Sequence, residues 1–265
     1  MPAAAPLERA DVFGFPVVTG TMDQLIAHLI ARAETLDRPT LIAAADAHVV
    51  TRGVRQQQYG NHLDTFDIIC PDGMPVVWKL KRQPTRNTPH RLSGPDIMSE
   101  LWDKGQPSPH IRHYLLGGSE QTLATLREKL LARYPGAQLA GSYSPPFGTW
   151  DETIQQSILQ RISESGATCI WVGLGCPKQE TWLASMRHRL PAALYFAVGA
   201  AFDFHAGTVR RAPLWIQKRG LEWLYRLCRE PRRLFKRYFT YNSLFLWYTL
   251  TGRKHSHAAT PPQPH

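Results

Sequence analysis

The chain lacks most of the features that would place it in a class at sight. Its 265 residues hold four cysteines (Cys70, Cys169, Cys176, Cys228), with no C-x-x-C pair and no His/Cys cluster at metal-ligand spacing. That argues against a disulfide scaffold or zinc finger and predicts reduced thiols in a cytoplasmic protein. There is no apolar run of about 18 residues, so no transmembrane helix is expected. The opening MPAAAPLERADVF has no basic segment followed by an apolar one, and no secretory signal is read in it. A Walker-A loop, a G-x-S-x-G elbow, an H-E-x-x-H helix and a D-x-D carboxylate pair are all missing. GLGCPK has G-x-G spacing, but Lys178 stands where a dinucleotide fingerprint needs its third glycine.

Most of the chain also lacks net charge. Residues 207–254 hold twelve Lys/Arg and two acids, and the remainder carries nineteen of each sign, so the whole excess of +10 lies in one segment. A neutral body with one basic segment predicts an anionic partner: phospholipid, nucleic acid or a phosphorylated substrate.

What is present is a regular alternation of apolar runs and breakers. Residues 12–18 read as a strand or hairpin arm. Thr21 and Gln24 form a capping box ahead of Leu25, Ile26, Leu29, Ile30 and Ala33, predicting a helix over about 22–36. Residues 40–45 (TLIAAA) read as a buried strand, and Asp46 opens a helix to about 58. Further strands are read at 66–70, 113–116, 138–143, 168–172 and 194–198. Helices are read near 95–104 and 119–134, capped by Ser93 and Ser119, and near 151–165 and 177–189. Most strands are continuous apolar runs rather than alternating ones. The expected fold is therefore α/β: a doubly wound, mostly parallel sheet with helices on both faces, over residues 11–206. Residues 1–10 and 253–265 are expected to be disordered.

Residues 66–78, FDIICPDGMPVVW, join a short buried strand to a helix with Pro75 in its first turn. Asp72 sits at the handover, on the carboxyl edge where open α/β sheets bind ligands. A plain helix-capping aspartate is the alternative there. Other strand ends carry polar groups or glycine: Asp46, Gly117-Gly118-Ser119, residues 173–179 with Gly175, and residues 199–203. With a basic loop (Lys79, Lys81, Arg82, Arg86, Arg91) that is expected to order over a ligand, they point to an anionic, nucleotide-like ligand. From Ala212 the chain turns into basic, aromatic-rich helices broken at Pro231. Their Trp and Leu positions oppose Lys218, Arg219, Arg226 and Arg229, a shape suited to a membrane interface. Helices packed on the sheet with a solvated basic face are the alternative.

PDGMPVVW, RLSGPD, LLGG, GLGCPKQE, VGAAFDFHAG and RAPLWIQKRGLEWLYRLCREP occur here in the order found in the WecG/TagA/CpsF glycosyltransferases, family 26, which the chain resembles over about residues 12–235. The resemblance implies a metal-independent inverting transferase at the cytoplasmic face of the bacterial inner membrane, held peripherally. It would move a sugar from a UDP donor to a polyprenyl-diphosphate-linked sugar, need no cofactor, and use residues 207–252 to dock on anionic membrane. Within the family the chain looks most like the enzymes adding glucose in β-1,4 linkage during xanthan-type exopolysaccharide assembly. Transfer of another UDP-sugar, such as an N-acetylmannosamine type, is the alternative. Asp72 matches the family's proposed base. Arg91 and Gln179 match pocket residues, and Arg219, Arg226 and Arg229 match arginines proposed to bind diphosphate. Lys178, Gly117, Gly118 and Gly175 complete the expected substrate-binding set, and no metal ligand is expected.

One departure stands out. Where the family often has Thr-x-Asn, this chain has Ala44-Ala45-Asp46, which suggests a different sugar and makes Asp46 a second candidate base. Asp203 is read first as a helix cap, His205 as a structural histidine satisfied by backbone, and Lys178 and Glu180 as a pair with solvent or each other. A basic nucleic-acid-binding protein is the rival class, disfavoured because no stacking platform is visible; no nucleic-acid partner is expected. Homo-oligomer formation is left open.

Overall fold

The computed structural model describes residues 6–257. A hairpin of β1 (Arg9–Val12) and β2 (Phe15–Val18) leads into α1 (Met22–Glu34). Then come β3 (Thr40–Ala45), α2 (Ala47–Arg55), α3 (Gln57–Asp64) and β4 (Ile68–Pro71). They are followed by α4 (Met74–Leu80), α5 (Gly94–Lys104), β5 (Arg112–Gly117) and α6 (Glu120–Arg133). Next are β6 (Gln138–Tyr143), α7 (Glu152–Ser165), β7 (Cys169–Gly173), α8 (Lys178–Met186) and β8 (Leu194–Ala197). The chain closes with α9 (Ala201–Ala206), α10 (Leu214–Lys218), α11 (Glu222–Arg229) and α12 (Pro231–Thr251).

The eight strands form one sheet in the order β1-β2-β4-β3-β8-β7-β5-β6, parallel throughout except for β1. Both faces are covered, which is why the strands are apolar at successive positions. Leu41, Ala43 and Tyr195 enter the core on one face, and Ile42, Trp171 and Phe196 enter it on the other. The doubly wound α/β architecture is as expected. Because β3, β4, β5, β7 and β8 run the same way, their carboxyl ends share one edge.

Several details differ from the sequence reading. The helix expected from Asp46 to about 58 breaks at Gln56, whose extended backbone separates α2 from α3. No proline or glycine marks that break. The helix expected before Pro231 is two, α10 and α11, parted at Gly220 with φ of +74°. Ser93 stands at the N-cap of α5 as expected, but its hydroxyl donates to Asp96 at 2.5 Å instead of accepting from a backbone N–H. Thr21 and Ser119 cap α1 and α6 as expected.

At the N-terminus, Arg9 and Ala10 are in β1, and Glu8 accepts from the backbone N–H groups of Arg86 and Asn87. The disorder expected of residues 1–10 therefore does not hold for residues 8–10. At the other end His255 is buried, stacked on Phe15. Of the tail expected to lack structure, residues 258–265, like residues 1–5, lie outside the described residues.

The C-terminal helices are built into the body. Phe245 and Tyr248 of α12 are buried against Phe13, at ring separations of 5.0 and 5.9 Å. Phe13 has a left-handed φ of 57°, costly for any side chain but glycine. Burial of its ring beneath α12 offsets that strain. The other side of these helices leaves Trp215, Leu224, Phe239 and Trp247 exposed. The segment thus packs on the body through one face and leaves aromatic and aliphatic side chains exposed on another.

Candidate active site

Strand pairing sets the first two side chains. Ala45 of β3 is in register with Pro71 of β4, and the Asp72 N–H donates to the Ala45 carbonyl at 3.0 Å. The next residues, Asp46 and Asp72, therefore emerge side by side at the carboxyl edge. Gly73 turns the chain away with φ of +113°, a conformation that favours glycine. Asp46 is the N-cap of α2, accepting from the Val49 N–H at 3.0 Å. Among the described residues nothing donates a hydrogen bond to the Asp72 carboxylate.

Asp46, His48, Asp72 and Arg91 line a cleft whose other wall is the C-terminal segment: Glu222, Trp223, Arg226, Tyr238, Tyr241 and Asn242. A chain of charges crosses between the walls. Arg91 Nε lies 3.7 Å from Asp72 Oδ1, while its Nη2 donates to Glu222 at 2.6 Å. Glu222 also faces Arg211 at 3.4 Å, and Arg211 forks onto Asp96 at 2.5 and 2.8 Å. Burial would raise Asp96, but the Arg211 guanidinium outweighs it and holds the carboxyl low. Asp72 has no such relief. Burial pushes its carboxyl up to about 6 against the pull of Arg91, and Asp46, Glu222 and Asp96 add repulsion. Its side chain keeps 27% of its surface open to the cleft.

Cationic donors lie on the lining of this cleft, Arg226, and behind it beside Asp46, Arg237. Arg226 Nε and Arg237 Nε are buried without hydrogen-bond partners. Arg226 lies over the Phe204 ring at 5.2 Å, and Arg237 comes within 4.0 Å of Asp46. Burial pushes His48 down to about 4, so its imidazole is neutral at ordinary pH. It meets the Tyr241 ring edge-on at 4.2 Å. The arrangement offers a proton acceptor, Asp72, opposite donors suited to an anion.

Of the residues predicted from sequence, Asp46, Asp72, Arg91 and Arg226 meet in this cleft. Gly117, Gly118, Gly175, Lys178 and Gln179 lie further along the edge, at the ends of β5 and β7, and do not line it. Gly117 has a packing reason: a Cβ would meet the Gly173 backbone at 2.8 Å. Gln179 is buried, accepting from the Gly199 N–H and donating to Glu180. Lys178 donates to the Gly148 carbonyl and covers the Trp150 ring, so it does not pair with Glu180. Arg219 and Arg229 are exposed and lie over Trp215 and Tyr225. In the basic loop Arg91 alone reaches the cleft; the N–H groups of Arg86 and Asn87 are pinned by Glu8. Asp203 caps no helix and accepts from the Thr208 hydroxyl, and His205 meets the Pro95 carbonyl at 3.0 Å.

Sequence reasoning missed Glu222, Arg211, Asp96 and Arg237. A signal existed for Glu222, one of two acids in the basic segment. Away from the cleft, His255 and His257 converge on Asp64 at 3.0 and 3.1 Å, a cluster the spacing did not suggest. Each imidazole faces one carboxylate oxygen, and the buried Nδ1 of His255 is left without a hydrogen-bond partner. Among the described residues no helix is long and apolar enough to cross a membrane.

Residues 10–259 match the profile of the Glycosyl transferase WecG/TagA/CpsF family. Among curated proteins, the N-acetylglucosaminyldiphosphoundecaprenol N-acetyl-beta-D-mannosaminyltransferase of Bacillus subtilis (strain 168) is 26% identical over 227 residues, covering 86% of each chain. The enzyme of the same name from Bacillus spizizenii is 28% identical over 218 residues, covering 82% of this chain and 81% of its own.

Proposed function

The chain belongs to the WecG/TagA/CpsF glycosyltransferase family, and from that premise we propose that it transfers a sugar of the N-acetylmannosamine type from a UDP donor to a polyprenyl-diphosphate-linked N-acetylglucosamine. The names of the two Bacillus relatives reported above favour this donor and acceptor over the glucose of xanthan-type assembly. The observation that carries the chemistry is Asp72: a carboxyl pushed up to about 6, without a hydrogen-bond donor among the described residues, across a cleft from Arg226, whose Nε is buried and unpartnered. A base is most effective when its pKa lies near the working pH.

In the proposed reaction Asp72 takes the proton of the acceptor hydroxyl as that oxygen attacks the anomeric carbon. The bond to the UDP oxygen breaks on the opposite face, so the configuration inverts and UDP leaves with the electron pair. Arg226 and Arg237 balance the charge on the leaving diphosphate, the task a divalent metal performs elsewhere. Arg219 and Arg229, exposed on the same segment, are assigned to the anionic headgroups of the membrane. The exposed Trp215, Leu224, Phe239 and Trp247 seat the protein peripherally on the membrane carrying its acceptor.

A second donor, UDP-glucose, is kept for one reason: the Asp46 carboxylate lines the cleft where the family often has an amide. The test is transfer of labelled sugar, with EDTA present, from UDP-N-acetylmannosamine and UDP-glucose to lipid-linked N-acetylglucosamine and glucose acceptors. Transfer of the amino sugar alone supports the main reading. Transfer of glucose alone replaces it, and loss of all transfer in EDTA removes the arginines from their assigned role. Turnover should halve near pH 6 and fall about tenfold per unit below it as Asp72 protonates.

A further inference from the structure

We propose that Glu222 is a positioning residue for the transfer: seated on α11, it holds the Arg91 guanidinium off Asp72 and leaves that carboxylate free to accept a proton. The inference rests on Asp72 being the base.

Arg91 lies between two carboxylates and is committed to one. Its Nη2 donates to Glu222 at 2.6 Å, whereas its Nε, 3.7 Å from Asp72, is beyond hydrogen-bond reach and has no partner. Glu222 is itself fixed, with its side chain 13% exposed and its other oxygen toward Arg211. Arg211 in turn is anchored on Asp96. If Glu222 loses its charge, Arg91 keeps one close carboxylate partner, Asp72. A guanidinium fork closing on a carboxylate makes two charge-assisted hydrogen bonds, which hold that group ionised and blunt it as a base.

The other charged groups around Asp72 come from every neighbouring element. Asp46 and His48 belong to the start of α2, Asp96 to α5, Arg211 to the segment before α10, Arg226 to α11 and Arg237 to α12. None of these cations is placed as Arg91 is, between Asp72 and a competing acid. Glu222 also follows the exposed Leu221 and precedes the exposed Leu224 on the segment that lies over the cleft. Seating of α11 and freedom of the base are thereby one event, and lifting α11 releases Arg91 onto Asp72.

The decisive experiment is a carboxyl 13C NMR titration of aspartate-labelled protein, with the Asp72 signal identified by its loss in Asp72→Asn. In Glu222→Gln the Asp72 midpoint should fall by about one pH unit or more. The same substitution made in an Arg91→Gln background should move it much less, because only direct repulsion is then removed. Glu222→Asp, keeping the charge on a shorter arm, should give an intermediate midpoint and covers the case in which the glutamine variant does not fold. An unchanged or higher midpoint, or equal shifts in both backgrounds, overturns the proposal. In transfer assays the acid limb of Glu222→Gln should move down with the midpoint while the plateau falls; a uniform loss at every pH would mark a merely structural role. Full activity of Asp72→Asn would sink the base assignment, and the titration would still decide whether Glu222 restrains Arg91.

Discussion

Two adjacent strand ends carry the same residue in opposite circumstances. Asp46, after β3, is spent on structure: one oxygen caps α2 and the other faces Arg237. Asp72, after β4, caps nothing, because the helix behind it starts from Gly73 and Pro75 without a side-chain cap. It is buried among other acids and held just out of reach of Arg91. Two carboxylates with one backbone register thus divide into one engaged in maintaining the fold and one left without a hydrogen-bond donor among the described residues. The difference comes from what each strand hands over to, and it is the ground on which Asp72 rather than Asp46 is proposed as the base.

The largest effect that could break this division is on turnover. Asp72→Asn should lower kcat by roughly 10²- to 10⁴-fold, the usual worth of a positioned base, with donor binding little changed. Asp46→Asn should cost a few-fold at most, since an amide caps a helix as well as a carboxylate does. Steady-state transfer kinetics on both variants decide it, and the reverse ranking would move the base to β3. Next in size is the opposing wall. Arg226→Ala should lower kcat/KM by about 10- to 100-fold, the worth of a charge-assisted hydrogen bond to the diphosphate. Arg229→Ala, exposed on the same helix, should leave transfer to a short-chain soluble acceptor within about threefold and weaken binding to anionic vesicles. Equal losses in soluble assays would put both arginines on the diphosphate, as the family resemblance implies.

Asp72 was legible in the sequence because its signals are local: a short apolar strand, an acid, a glycine and a proline within a few residues. The parallel sheet was legible for the same reason, since burial on both faces leaves unbroken apolar strands. Glu222 was not, because its meaning lies in a bond to Arg91, 131 residues away, and no local pattern encodes that pairing. The C-terminal segment was half legible. Its cations and aromatics read correctly as a surface, but the burial of Phe245 and Tyr248 depends on Phe13 at the far end of the chain. The break at Gln56 left no trace because an ordinary residue takes an extended backbone there without cost.

The smallest expected effect separates the two aspartates by sign. In the folded chain Asp72 keeps its proton up to about pH 6, whereas an unfolded aspartate releases it near 3.9. Between those values the folded state binds more protons than the unfolded one, so stability falls as pH rises through the window. Below about pH 4 both states are protonated and the site costs nothing. Asp72→Asn should therefore stabilise the protein at pH 7.5 by on the order of 1–2 kcal/mol, given that 27% of the side chain is still open. For a chain of this size that is about 2–6 °C in Tm, and the gain should vanish at pH 4. Asp46→Ala loses the bond to the Val49 N–H and should cost about 1 kcal/mol at pH 7.5. Paired thermal melts at the two pH values read both. A lower Tm for Asp72→Asn at pH 7.5 would mean that the fold depends on this carboxylate as it depends on Asp46, and the two strand ends would no longer differ in kind.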